Sequence, residues 1–129
     1  MHYELHLPFP PTVNNYYVKT QRGVFISQKG KKFREAISEA IHEQAPTARI
    51  DDKMMVEIIL YPPDLRKRDV DNYNKSLLDA ITKTKLWIDD SYIDQLFVYR
   101  GQKVKGGAVF LRITDAAPVL PIGYDLALD

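Results

Sequence analysis

The chain has no cysteine among its 129 residues. That excludes a disulfide scaffold and a cysteine-ligated zinc site, and it suits a reducing compartment. No apolar run approaches the ~20 residues of a membrane-spanning helix. The opening MHYELHLPF also lacks the charged-then-apolar layout of a secretory signal. A soluble, cytoplasmic protein is the expectation. Glutamate is missing from residues 64–94, although seven of the twelve aspartates lie there. Basic residues are missing from 113–129, which hold three aspartates, while residues 1–112 carry all 18 Lys and Arg against 14 acids. The net charge of +1 thus combines a body at +4 with a tail at −3. A mildly basic body permits a nucleic-acid partner without requiring one.

This length supports one core and not two. The chain reads as a domain over 1–114 followed by an acidic, apolar tail over 115–129. Residues 3–7 alternate as a short strand that PFPPT stops. VNNYYVKTQRGVFIS reads as two short extended pieces around Gln21-Arg22-Gly23. From Gln28 to about Gln44, Phe33, Ile37, Ala40 and Ile41 fall at helical spacing. The opening turns of that helix carry Lys29, Lys31, Lys32 and Arg34, where the helix dipole favours acids, which hints at an anionic visitor. KMMVEIILYPP is the strongest strand. Residues 69–85 read as a second helix with Val70, Tyr73, Leu77, Leu78 and Ile81 on one face. IDQLFVYRGQ and GGAVFLRIT read as a hairpin through the Lys103–Gly107 loop. The expected class is α/β (α+β): a mixed four-stranded sheet covered by two helices. In the tail, Val119, Leu120, Ile122, Leu126 and Leu128 are too apolar for a solvated end. Docking on the chain's own body, on a second copy or on another protein is expected.

Asp69 and Asp71, in RDVDN, stand at the start of the second helix. Aspartate is a favoured N-cap, which explains one of them but not the pair together with Asp89 and Asp90 in WIDDSYIDQL. Lys75 lies four residues from both Asp71 and Asp79, so an exposed stripe of charges is one reading of it. The functional reading takes Asp69, Asp71 and one of Asp89/Asp90 as oxygen ligands for a divalent cation such as Mg²⁺. A nearby lysine would then steady charge on a phosphodiester transition state. Arg66, Lys67 and Arg68 precede the acids, and Lys83, Lys85, Lys103 and Lys105 follow them; such cations offset the repulsion of carboxylates for DNA. Phe9, Tyr16, Tyr17 and Trp87 read as packing rather than as base-stacking platforms.

Taken together, LPFPPTVNNYY, PPDLRKRDVDNYNKSLLDAIT and LWIDDSYI resemble the RusA family of Holliday-junction resolvases, small metal-dependent endonucleases typical of bacteriophages and prophages. The resemblance spans roughly 3–114. It implies that Asp69, Asp71 and Asp90 are the metal-binding catalytic carboxylates, that Lys75 is the essential helix lysine, and that Asn72 and Asp89 support them. It further implies Mg²⁺, with Mn²⁺ as a substitute, and a homodimer that nicks four-way junctions symmetrically. The expected DNA-contacting set is Asn14, Asn15, Lys29, Lys31, Lys32, Arg66, Lys67, Arg68, Lys83, Lys85, Lys103 and Lys105. Two features depart from the family pattern: Leu65 interrupts the basic run, and the tail after Thr114 has no counterpart. The rival readings are a non-catalytic branched-DNA binding module and a nuclease of flaps or forks.

Overall fold

The computed structural model describes residues 1–123. In chain order the elements are β1 (His2–Leu7), α1 (Val13–Tyr16), β2 (Tyr17–Thr20), β3 (Gly23–Ile26), α2 (Gln28–Gln44), β4 (Met54–Tyr61), α3 (Asn74–Lys83), β5 (Ile93–Arg100) and β6 (Ala108–Asp115), with 3₁₀ turns at Val70–Asn72 and Asp90–Tyr92. β1, β6, β4 and β5 form one sheet in that order, and β2 and β3 form a separate ribbon. No described helix is long and apolar enough to cross a membrane.

Alternation decides which face is covered. Met54, Val56, Ile58 and Leu60 of β4 are buried with Val109, Leu111 and Ile113 of β6 and Leu5 and Leu7 of β1. Phe33, Ile37 and Ile41 of α2 and Leu77, Ala80 and Ile81 of α3 close the same core. Trp87 and Tyr16 are fully buried, as packing residues should be. Trp87 Nε1 donates to Thr82 Oγ1 at 2.7 Å, which satisfies its one donor. The mixed sheet covered by two helices is therefore the architecture. The ribbon also follows expectation, pairing Tyr17 with Ile26 and Thr20 with Gly23.

Two expectations fail. β5 and β6 are not a hairpin: β4 lies between them, parallel to β5 and antiparallel to β6. The cause is burial. β4 throughout, and β6 up to the exposed Asp115, alternate buried and half-buried residues, so both belong in the interior of the sheet, whereas β5 is mostly exposed and suits an edge. The connecting loop crosses the end of β4, where Gly101 N donates to Leu60 O at 2.8 Å and Val104 N to Pro62 O at 2.9 Å. Gly107, at φ +74°, lies so close to Phe9 that an added Cβ would meet the Phe9 Cβ at 2.7 Å.

The second helix does not begin at residue 69. Asp69 is extended, residues 70–72 make a 3₁₀ turn, and α3 starts only at Asn74. Tyr73 is buried against Phe9, with ring centroids 5.1 Å apart, and this anchor fixes the turn ahead of the helix. At the other end of α3, Lys85 has φ 67°, a left-handed position that favours glycine.

β6 ends at Asp115, and the chain is tied down just beyond it: Ala117 N donates to Gln95 Oε1 at 3.0 Å. Val119, Leu120 and Ile122 are then 76%, 62% and 96% exposed, so this part of the tail does not dock on its own body. Leu126 and Leu128 lie outside the described residues.

Candidate active site and nucleic-acid interface

The seven aspartates between 64 and 94 divide by their partners. Asp64 accepts from Arg68 Nη1 at 2.6 Å and from Arg66 N at 2.9 Å. The bond from Arg68, then that from the Arg66 backbone, hold its carboxyl well below the usual range. Asp79 accepts from the Tyr16 hydroxyl and from Arg34 Nη2, the latter at 2.8 Å. Asp89 caps a turn by accepting from Ser91 N at 3.0 Å, and Asp94 pairs with Lys53 at 3.5 Å. Asp69, Asp71 and Asp90 form no ion pair with any cation among the described residues, and all three are exposed. Structural roles thus account for four aspartates. The three left over are those that the RusA resemblance singled out.

Their placement follows from the turns. Asn72 N donates to Asp69 O at 3.2 Å, closing the 70–72 turn, and Asp90 opens the 90–92 turn. Both turns contact α3, and the first also contacts β5. The Asp90 carboxyl is held above its ordinary range, first by partial desolvation and then by the neighbouring Asp89 and Asp79 carboxylates. The donors suit a hard divalent cation: three unpaired carboxylates and no thiol. They do not close on one point, however. Among the described residues no three His, Cys, Asp or Glu side chains converge closely enough to hold a metal ion.

Lys75 is not part of an exposed charge stripe, because Asp79 is already engaged. Arg34 Nε donates to the Tyr16 hydroxyl at 2.7 Å, which completes an Arg34–Tyr16–Asp79 network across 63 residues of chain. Lys75 Nζ instead lies 5.2 Å from the centroid of the Tyr17 ring, and it has no acidic partner among the described residues. Its charge is available to a ligand.

Sequence reasoning missed this network, since nothing in local spacing joins Tyr16 to Asp79. Burial alone would raise the Asp79 carboxyl; the bonds from Tyr16 and Arg34 and the charges of Arg34 and Lys83 outweigh it and hold it below the usual range. A depressed folded pKa gives stability that is present above the unfolded value near ~4 and is lost as pH falls through the folded value. Asp79→Asn should therefore cost about 1–3 kcal/mol near neutral pH, and urea melts of variant and wild type should converge in acid. A gap that stays constant with pH would assign the cost to shape alone.

Residues 8–114 match the family described as Endodeoxyribonuclease RusA. The chain belongs to the RusA family. It is 33% identical to the crossover junction endodeoxyribonuclease of Enterobacteria phage HK97 over 117 residues, covering 91% of this chain and 98% of that one. It is 32% identical to the crossover junction endodeoxyribonuclease RusA of Shigella sonnei strain Ss046 over 113 residues, covering 88% and 94% respectively. The phage 82 enzyme of the same name is also 32% identical over 113 residues. The matched region ends beside the close of β6 and leaves out the tail.

The basic residues of this RusA-family chain are not equivalent. Arg68 is 12% exposed, tied to Asp64 and stacked 6.0 Å from the centroid of Phe9, so it holds the loop in shape. Arg66 also leans on Asp64, at 3.4 Å, whereas Lys67 forms no ion pair among the described residues. Lys67, Asp69 and Asn72 from one segment and Asn15 from the other line an open cleft of about 420 Å³ between Pro63–Tyr73 and Phe9–Asn15. Lys103 joins Lys67 and Asp69 around a neighbouring cleft of about 440 Å³. The structure thus gathers Asn15, Lys67, Asn72 and Lys103 around Asp69, and Asn14 beside Lys75. Lys29, Lys31, Lys32, Lys83, Lys85 and Lys105 are exposed and line neither of these clefts, nor the one that holds Asn14 and Lys75.

Proposed function

We propose that this chain, like the relatives it matches, cuts branched DNA at crossovers, and that it does so as a homodimer making paired symmetric nicks at four-way junctions. One observation carries the reading: of seven clustered aspartates, only Asp69, Asp71 and Asp90 have neither an ion pair nor a side-chain capping bond among the described residues, and Lys75 has no acidic partner there. Exposed carboxylates with no partner among the described residues add little to the stability of the fold and stay open to a cation from solution. With movement of their exposed side chains towards one point, Asp69, Asp71 and Asp90 would hold Mg²⁺, with Mn²⁺ as a substitute, and the ion would supply Lewis acidity and a water of lowered pKa. Asn72 and Asp89 shape the two turns that present these side chains. Lys75 places a compact positive charge where the phosphoryl oxygens gain negative charge during cleavage. Lys67, Lys103 and Asn15 contact backbone phosphates and set the path of the strand without reading its sequence. A two-fold axis between two such sites matches the symmetry of two nicks across a junction.

The ion assignment has a readout separate from cleavage. Millimolar Mg²⁺ should raise the melting temperature of the wild type by a few degrees, equivalent to about 1.4 kcal/mol at tenfold over Kd. Asp71→Asn and Asp90→Asn should gain much less. Equal gains in all three proteins would remove the carboxylates from the site. A panel of four-way junctions, flaps, forks and linear duplex decides the substrate: faster cutting of flaps or forks than of junctions would favour the broader nuclease.

We further propose that Val119, Leu120 and Ile122, exposed on one chain, dock on the dimer partner or on another protein. Deleting residues 115–129 should then change light scattering or melting temperature. If both are unmoved, the tail has no docking role in the isolated protein.

A further inference from the structure

The β2–β3 ribbon stands largely in solvent, and its chemistry is unusual. No acid occurs between Glu4 and Glu35, a stretch that holds Lys19, Arg22, Lys29, Lys31, Lys32 and Arg34. Within this basic surface Val18, Val24 and Phe25 are 42%, 60% and 52% exposed. The register places Lys19 opposite Val24 and Tyr17 opposite Ile26, so Tyr17, Lys19 and Val24 share one face, while Val18 and Phe25 pair on the other. The first face and the start of α3 bound an open cleft of about 340 Å³, lined by Val13, Asn14, Tyr17, Lys19, Val24 and Lys75.

A groove that only tracked phosphates would need cations alone. This one adds two valines, an aromatic ring and a carboxamide, and it has no acid. Apolar and aromatic walls suit the faces of a nucleobase, the Asn14 amide can donate and accept at its edge, and Lys19 can meet the next phosphate. The position is as informative as the chemistry. Asn14 lines this cleft and Asn15 lines the cleft that holds Asp69, so α1 forms the divide between them. A strand crossing that divide with a phosphate at Lys75 lays one neighbouring nucleotide against the ribbon.

We propose that this cleft receives one unstacked nucleobase of the cut strand, next to the phosphate at Lys75, and so selects branch points over continuous duplex. The inference rests on the branched-DNA reading above. A base inside a duplex must leave its stack to enter, whereas a base at a crossover is already loosened.

The test places 2-aminopurine, one position at a time, at each nucleotide around the crossover of a four-way junction. Binding is followed by fluorescence in chelator, so no cleavage is needed. Wild type should raise emission several-fold at one position per strand pair and at none in a continuous duplex of the same sequence. Val24→Ala and Asn14→Ala should largely abolish that rise. An independent arm uses wild type alone: an abasic site at the responding position should slow Mg²⁺-supported cleavage about tenfold. Unchanged emission at every position in the bound complex, or wild-type emission with both variants, overturns the proposal. Binding with the emission change but without cutting would sink the nuclease reading and leave the cleft standing. Absence of junction binding would sink both.

Discussion

Asp71→Asn and Asp90→Asn should each lower junction cleavage by ~100-fold or more while junction binding persists or tightens. Asparagine keeps the shape of aspartate but loses the charge and the hard anionic oxygen that a divalent cation needs. Neither side chain holds a cation in the fold, so no ion pair is broken by the change. Binding follows the opposite sign, because a carboxylate beside a phosphate repels it and its removal lowers that cost. Asp94→Asn serves as the control. Asp94 is a neighbour of the same type, but it is paired with Lys53 at 3.5 Å on the surface. Its loss should leave cleavage near wild type and cost under ~1 kcal/mol. Single-turnover cleavage beside gel-shift binding reads all three. Wild-type rates in the Asp71 and Asp90 variants would reassign those residues to the surface.

Lys75→Ala should also abolish most cleavage, by ~100-fold, with almost no loss of stability. In the fold the Lys75 ammonium lies over the face of Tyr17, at 5.2 Å from the ring centroid, a contact worth about 0.5–1 kcal/mol at an exposed site. A structural lysine would show the reverse: a measurable fall in melting temperature and normal turnover. Lys75→Arg keeps the charge but spreads it over a planar group of different reach, so partial activity is expected. A folded Lys75→Ala variant that cuts at the wild-type rate would return this residue to a surface role.

The parts of this architecture that sequence reveals are those set by near neighbours. The alternation of MMVEIILY and the helical spacing of Phe33, Ile37 and Ile41 announce β4 and α2, because each pattern repeats within the element that it builds. The aspartate bias between 64 and 94 marks the candidate site, although it does not say which aspartates are spare. That distinction needs partners distant in the chain: Arg34 reaches Asp79 only after α2 has packed on α3. The pairing of β5 with β4 rather than β6 is hidden for a related reason. A short loop between two extended segments favours a hairpin locally, and only burial of β4 from both sides overrides it. The true start of α3 is set by Tyr73, whose side chain enters the core and leaves Asp71 on a turn and Asp69 extended just ahead of it. Helical periodicity from Val70 onward could not separate that turn from the helix it precedes.

The most direct measurement of the central claim is a synthetic four-way junction incubated with the purified chain, in millimolar Mg²⁺ and in chelator, with each strand end-labelled in turn. Mg²⁺ should yield nicks at symmetric positions in two opposed strands, with 5′-phosphate and 3′-hydroxyl ends, and chelator should leave the junction bound and intact. Mg²⁺-independent binding with no product in either condition would contradict the account and make this chain a branched-DNA binding protein whose spare carboxylates do no chemistry.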